Sequence, residues 1–144
     1  MHKVSVKWRG KRKFKAEDED GHVVEMDAPR AIGGENSAVS PLKLILMSIA
    51  GCSGVDVISF LEAIPVKVDE FRIEVDGIRA EIVPKVYKHI NVAYKLKGDI
   101  PVGKVEDAFK LSIEKHCSTV HMTNKVADLS FAYEINGKRY EYNK

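Results

Sequence analysis

With 144 residues, 44% of them hydrophobic and 31% charged, the chain is long enough for one domain with a real core and has the balance of a soluble globular protein. Its 23 basic and 21 acidic residues leave a net charge of +2, which gives no drive towards nucleic acid or an anionic membrane. The N-terminal MHKVSVKWRG lacks the apolar run of a secretory signal, and the longest apolar run is Leu44–Met47, so neither export nor a membrane span is expected and the expected address is the cytoplasm.

The opening reads as strands. Val4, Val6 and Trp8 alternate with Ser5, Lys7 and Arg9, and 13–17 and 22–27 read as two more strands about the turn Asp18-Glu19-Asp20-Gly21. Ala28 to Ser40 reads as a Gly/Ala/Ser-rich loop. Ser40 then suits an N-cap and Pro41 the first helical position, and no further proline occurs until Pro65. Over 42–63 apolar residues cover nearly the whole circumference, which predicts a buried helix roughly 30 Å long with Cys52 at its middle. Phe71/Ile73/Val75 and Ile90/Val92/Tyr94/Leu96 alternate as strands about a turn near 82–85. Lys104–His116 reads as an amphipathic helix whose buried face carries Val105, Ala108, Phe109, Ser112 and Ile113. Cys117 ends it, and Ser118 and Thr119 cap a short helical piece. Leu129 to Ile135 alternates once more, and Asn136-Gly137 is a hairpin signal leading to Tyr140 and Tyr142. The pattern predicts a single α+β domain over residues 1–144 with antiparallel sheets.

The chemistry rests on the cysteines. In a reducing compartment a cysteine pair is more often catalytic or redox-sensing than a structural staple. The two lie 65 positions apart, which excludes CxxC chemistry. The bland reading of each is a small buried hydrophobe. Gly51 and Gly54 flank Cys52 inside the helix, where each costs about 1 kcal/mol relative to alanine. Close approach by another helix, or room for a substrate at the sulfur, would compensate, and the two are compatible.

Ser40-Pro41-Leu42-Lys43-Leu44, then Ala50-Gly51-Cys52 with the cysteine eleven residues after the proline, resembles the OsmC/Ohr family. Lys115-His116-Cys117-Ser118 resembles its second cysteine segment, and 28–34 its loop before the helix. The wording around Cys52 is most similar to the uncharacterised OsmC-like branch. The resemblance spans essentially the whole chain. It implies an OsmC-like fold, an intertwined homodimer with sheets wrapped around long central helices. It also implies a thiol peroxidase needing no metal or bound cofactor. Cys52 would be the nucleophile and Cys117 the resolving thiol, and an external dithiol, lipoyl-type in the Ohr branch, would restore both. The family places an arginine at the thiolate, held by a glutamate just after the helix-opening proline. The resemblance assigns that arginine to Arg12 first and Arg9 second. Leu42 and Lys43 stand where the glutamate is expected, which leaves Asp56, at i+4 from Cys52, and Glu35 as alternative arginine partners. The missing glutamate favours a second reading, a non-enzymatic dimer that binds a small ligand or senses redox state; the retained cysteine pair favours the first.

Lesser signals read blandly. His116 and His121 near Cys117 make too few ligands for structural zinc. The basic run Lys7 to Lys15, interleaved with Trp8 and Phe14, fits a solvated strand face better than a nucleic-acid surface. Gly33-Gly34 lacks the rest of a phosphate loop.

Overall fold

β1 (Val4–Trp8), β2 (Phe14–Asp18) and β3 (Val23–Met26) pair antiparallel in that order. Trp8 faces Phe14 and Phe14 faces Met26, while Val6 faces Ala16 and Ala16 faces Val24, so the alternating apolar side chains gather on one side of the sheet. The predicted turn after β2 is built on Asp18, whose Oδ1 accepts the N–H groups of Asp20 and His22. The loop after β3 is far more ordered than its composition suggests. Buried Asp27 accepts from the N–H groups of Ala28, Glu35 and Ser37 and from the Ser37 hydroxyl, at 2.8–3.1 Å. A 3-10 turn, Arg30–Ile32, ends at Gly33 with φ +86°, and a side chain on Gly34 would collide with the carbonyl of Ala28.

The structure, a computed structural model, describes residues 1–142. Met1–Ile45 and the residues from Leu46 onward form two compact units, and α1 (Pro41–Glu62) runs from one into the other. The helix matches the expected span within one residue at each end.

In the second unit β4 (Lys67–Arg79), β5 (Tyr87–Asp99), β6 (Asp128–Ile135) and β7 (Lys138–Tyr142) form one sheet in sequential order. β4 and β5 are longer than the alternation alone indicated. The expectation of antiparallel sheets is corrected here: β5 and β6 run parallel. The chain between them crosses over through α2 (Val102–Leu111), a π-turn (Ser112–His116) and α3 (Ser118–Thr123), the kind of connection that parallel strands require. Asn136 and Gly137, both at positive φ, close the β6–β7 hairpin as predicted.

The core of this unit lies between the sheet and the helices. Ile90, Val92, Tyr94 and Leu96 are all at most 2% exposed. Val105, Ala108, Phe109, Ser112 and Ile113 are buried as their spacing predicted. Phe109 packs its ring 4.5 Å from Tyr94 and 5.0 Å from Tyr133.

One expectation about α1 is corrected. It is not buried all round in the single chain: Ile49, Ser53, Gly54, Val57 and Leu61 are buried, while Ile45, Met47 and Val55 stay exposed. By length and composition alone α1 is also long and apolar enough to cross a bilayer, with a mean hydropathy of 2.0 over its best window, a test that the core helix of a soluble protein passes as well.

Candidate thiol site

Cys52 lies near the middle of the 22-residue α1 and is half-buried. Its two glycines differ. A side chain on Gly54 would meet Ile73 Cδ1 at 2.7 Å, so the compensation there is close approach by strand β4 rather than by a helix. A side chain on Gly51 would meet nothing within 4 Å, so no close approach compensates there.

Cys117 reaches the site because the helical path breaks there. The π-turn ends with the Cys117 N–H bonded to the carbonyl of Ser112 at 2.8 Å, and Cys117 itself is extended (φ −69°, ψ 101°) before α3 begins. Its side chain is fully buried. Both cysteines are free thiols.

Thr119 meets both cysteine segments. Its Oγ1 is 3.2 Å from Cys117 Sγ and donates to the carbonyl of Ser48, one turn before Cys52, at 3.5 Å. The sulfurs respond in opposite directions. At Cys52 burial pushes the thiol up, the Asp56 carboxylate adds a little, and the hydrogen bonds from Thr119 and Cys117 outweigh both, so the net shift is below the ordinary thiol value. At Cys117 burial dominates and the hydrogen bond to Cys52 adds to it; the contacts of Thr119 and of the Val120 N–H only partly offset them, and the thiol is pushed up. The arrangement favours a Cys52 thiolate accepting from a Cys117 thiol, with the more acidic sulfur also the more accessible one.

The surroundings are fixed by polar contacts. Ser112 Oγ, fully buried, donates to Asp56 Oδ2 at 3.1 Å, and Ser53 Oγ donates to the carbonyl of Ile49 at 2.7 Å. The Tyr94 hydroxyl is the buried side-chain polar atom without a hydrogen-bond partner among the described residues, and burial pushes its phenol up.

The other sequence candidates fall as follows. Asp56 Oδ2 accepts from the Ser112 hydroxyl. The Glu35 carboxylate bonds Lys11 Nζ at 2.6 Å, and its backbone carbonyl accepts from Arg30 Nε at 3.5 Å. Arg12, in the turn between β1 and β2, donates from Nη1 to the carbonyl of Lys11 at 3.3 Å. Arg9, at the end of β1, is exposed. His116 packs edge-on against Phe60 at 5.3 Å, and His121 is exposed. The metal-compatible group among the described residues is elsewhere, at Asp18, Asp20 and His22, where Asp18 is already bonded to both neighbours. Lys13 and Lys15 of the basic run pair with Glu25 and Glu17, as a solvated strand face does. Sequence reading missed the roles of Thr119 and Ser112. The available signal was the break in helical pattern at Cys117, which puts a hydroxyl two residues beyond a thiol.

Comparison with known proteins follows this geometry. A family model described as OsmC-like protein matches residues 34–131, a span that contains both cysteines and all of α1. Protein YhfA of Escherichia coli (strain K12) is 32% identical over 131 residues, covering 90% of this chain and 95% of the relative. The crystal structure of a hypothetical protein from Aquifex aeolicus VF5 aligns with a TM-score of 0.83 at 29% identity, over 94% of this chain and 96% of that one. The organic hydroperoxide resistance protein OhrB of Bacillus subtilis aligns with a TM-score of 0.60 at 20% identity, over 94% and 98%, a likeness of fold.

Proposed function

The chain belongs to the OsmC-like protein family, and from that premise we propose that it is a cytoplasmic thiol peroxidase that reduces organic hydroperoxides or hydrogen peroxide. The observation that carries the reading is the asymmetric thiol pair: Cys52 half-buried and shifted towards thiolate, Cys117 buried and held as the thiol against it. In the reaction the Cys52 thiolate attacks a peroxide oxygen, the O–O bond breaks, and Cys52 becomes a sulfenic acid while the alcohol or water leaves. Cys117 then attacks the Cys52 sulfur, expels hydroxide and closes a disulfide. An external dithiol, lipoyl-type or another, returns both to thiols by exchange.

The working form is a homodimer. The exposed Val4, Val6 and Trp8 in the first unit and Met47 and Val55 on α1 leave apolar area open in each single chain, which a second copy would cover. Arg12, or failing it Arg9, would add positive charge at the thiolate. The reading is tested by reducing the protein fully, adding one equivalent of cumene hydroperoxide or hydrogen peroxide, and following free thiols and intact mass. Rapid loss of both thiols with a mass decrease of two hydrogens is expected, faster with the organic peroxide. Thiols that persist as long as those of free cysteine would sink it and leave the redox-sensing or ligand-binding dimer, which Leu42 and Lys43 at the helix start favour.

A further inference from the structure

We propose that Thr119 is the positioning residue that decides which cysteine attacks and then transfers its support to the other, an inference that rests on the peroxidase reading above. The geometry is a hydroxyl that meets both cysteine segments: Oγ1 is 3.2 Å from Cys117 Sγ and 3.5 Å from the carbonyl of Ser48, one turn before Cys52 on α1, and Thr119 is among the donors that lower the Cys52 thiol. A hydroxyl has one hydrogen, so it can donate to either sulfur but to only one at a time, while the Cys117 thiol hydrogen stays with the Cys52 thiolate. When its hydrogen turns from the Ser48 carbonyl to Cys52, that sulfur carries the charge. Asp56, one helical turn along α1, opposes a charge there, which makes the donors on the other side decisive.

The same hydroxyl serves the second step. Attack by the Cys52 thiolate forms an S–O bond, breaks the O–O bond and releases an alkoxide. The alkoxide takes the proton of the adjacent Cys117 thiol and leaves as the alcohol. Cys52 is now a neutral sulfenic acid and Cys117 the thiolate, so the Thr119 hydrogen turns to Cys117, already 3.2 Å away. Cys117 attacks the Cys52 sulfur, the S–S bond forms, and the S–O bond breaks to release hydroxide, which solvent protonates. Two electrons leave the two sulfurs and reduce one peroxide.

The test is competitive alkylation of the reduced protein with iodoacetamide across pH, with the labelled cysteine located by peptide mass. In the wild type, Cys52 should label first. Thr119→Val keeps the shape and removes the hydroxyl; it should slow Cys52 labelling near neutral pH by about tenfold, as a thiol shifted up by about one pKa unit would. Thr119→Ser restores the hydroxyl and should return the wild-type order and pH profile. Thr119→Ala provides a second hydroxyl deletion, and melting curves show which variants fold. A hydroxyl-less variant that folds and labels Cys52 with the wild-type profile would overturn the inference, as would a folded Thr119→Ser that has lost the selectivity. Labelling needs no peroxide. If selectivity depends on the hydroxyl while the wild type consumes no peroxide, the peroxidase reading fails and the assignment of the thiolate stands.

Discussion

Ser112 Oγ donates to Asp56 Oδ2 at 3.1 Å, tying the π-turn that delivers Cys117 to the helix turn that follows Cys52. The bond joins two segments 56 residues apart, and Ser112 has no access to solvent. Ser112→Ala should destabilise the protein by about 1–3 kcal/mol, because the Asp56 carboxylate loses its donor in a half-buried place. Urea unfolding measures this. The disulfide yield after one equivalent of peroxide should fall as well, since the π-turn is no longer pinned. Unchanged stability would mean that water replaces the hydroxyl without loss.

The thiols should titrate apart. Cys52 is shifted below the ordinary thiol value and Cys117 above it, so alkylation should become half-maximal at a lower pH for Cys52 than for Cys117, on either side of the ordinary thiol range. The linkage sign follows. A thiol whose folded pKa is depressed adds stability at pH above its unfolded value, and that contribution fades as pH falls through the folded value. Cys52→Ser should therefore flatten the pH dependence of the melting temperature just below the ordinary thiol range. Identical profiles for the two sulfurs would contradict the asymmetry.

The glycines beside Cys52 should behave differently. Gly54→Ala places a methyl group 2.7 Å from Ile73 Cδ1 and should cost about 1–3 kcal/mol through overpacking. Ile73→Val removes that methyl, so the double variant should recover part of the loss, which a double-mutant cycle in urea reads directly. Additive losses would show that the strain lies elsewhere.

The proposed dimer can be tested at one position. Val55 is 64% exposed on α1 in the single chain. Val55→Lys should leave the single chain folded while shifting sedimentation from dimer to monomer, since burying an unpaired ammonium in an apolar interface is strongly unfavourable. A variant that sediments as the wild type does would place the interface away from this face of α1.

Asp27 holds the loop before α1. The Ser37 backbone N–H acts most strongly; burial opposes it, and the Ser37 hydroxyl and the N–H groups of Glu35 and Ala28 assist, leaving the carboxyl below its usual range. The sign here matches the usual carboxylate. The stabilisation is present above the unfolded value of about 3.9 and is lost as pH falls through the lower folded value. Asp27→Ala should lower the melting temperature at neutral pH and should have little further effect in strong acid. Amide exchange of Glu35 and Ser37 would show the loop opening.

Most of the elements are legible from the chain alone, because they follow from local rules. Period-two alternation marks the strands, Pro41 and Pro65 bracket α1, and Asn136-Gly137 has the dihedral freedom that a tight hairpin demands. The spacing of Val105, Ala108, Phe109, Ser112 and Ile113 named a buried face correctly, and the order of motifs around Cys52 and Cys117 pointed to the family. What only the tertiary structure decided are relations between distant segments. The parallel pairing of β5 with β6 depends on where the crossover packs, and hydropathy does not encode direction. The bond from Ser112 to Asp56 depends on how the π-turn after α2 packs against α1. Thr119 looked like a helix cap until the break at Cys117 set its hydroxyl 3.2 Å from the Cys117 sulfur and against the turn of α1 before Cys52. Propensity and periodicity act over a few residues, whereas the acidity of a thiol is set by whichever donors the folded chain brings to it.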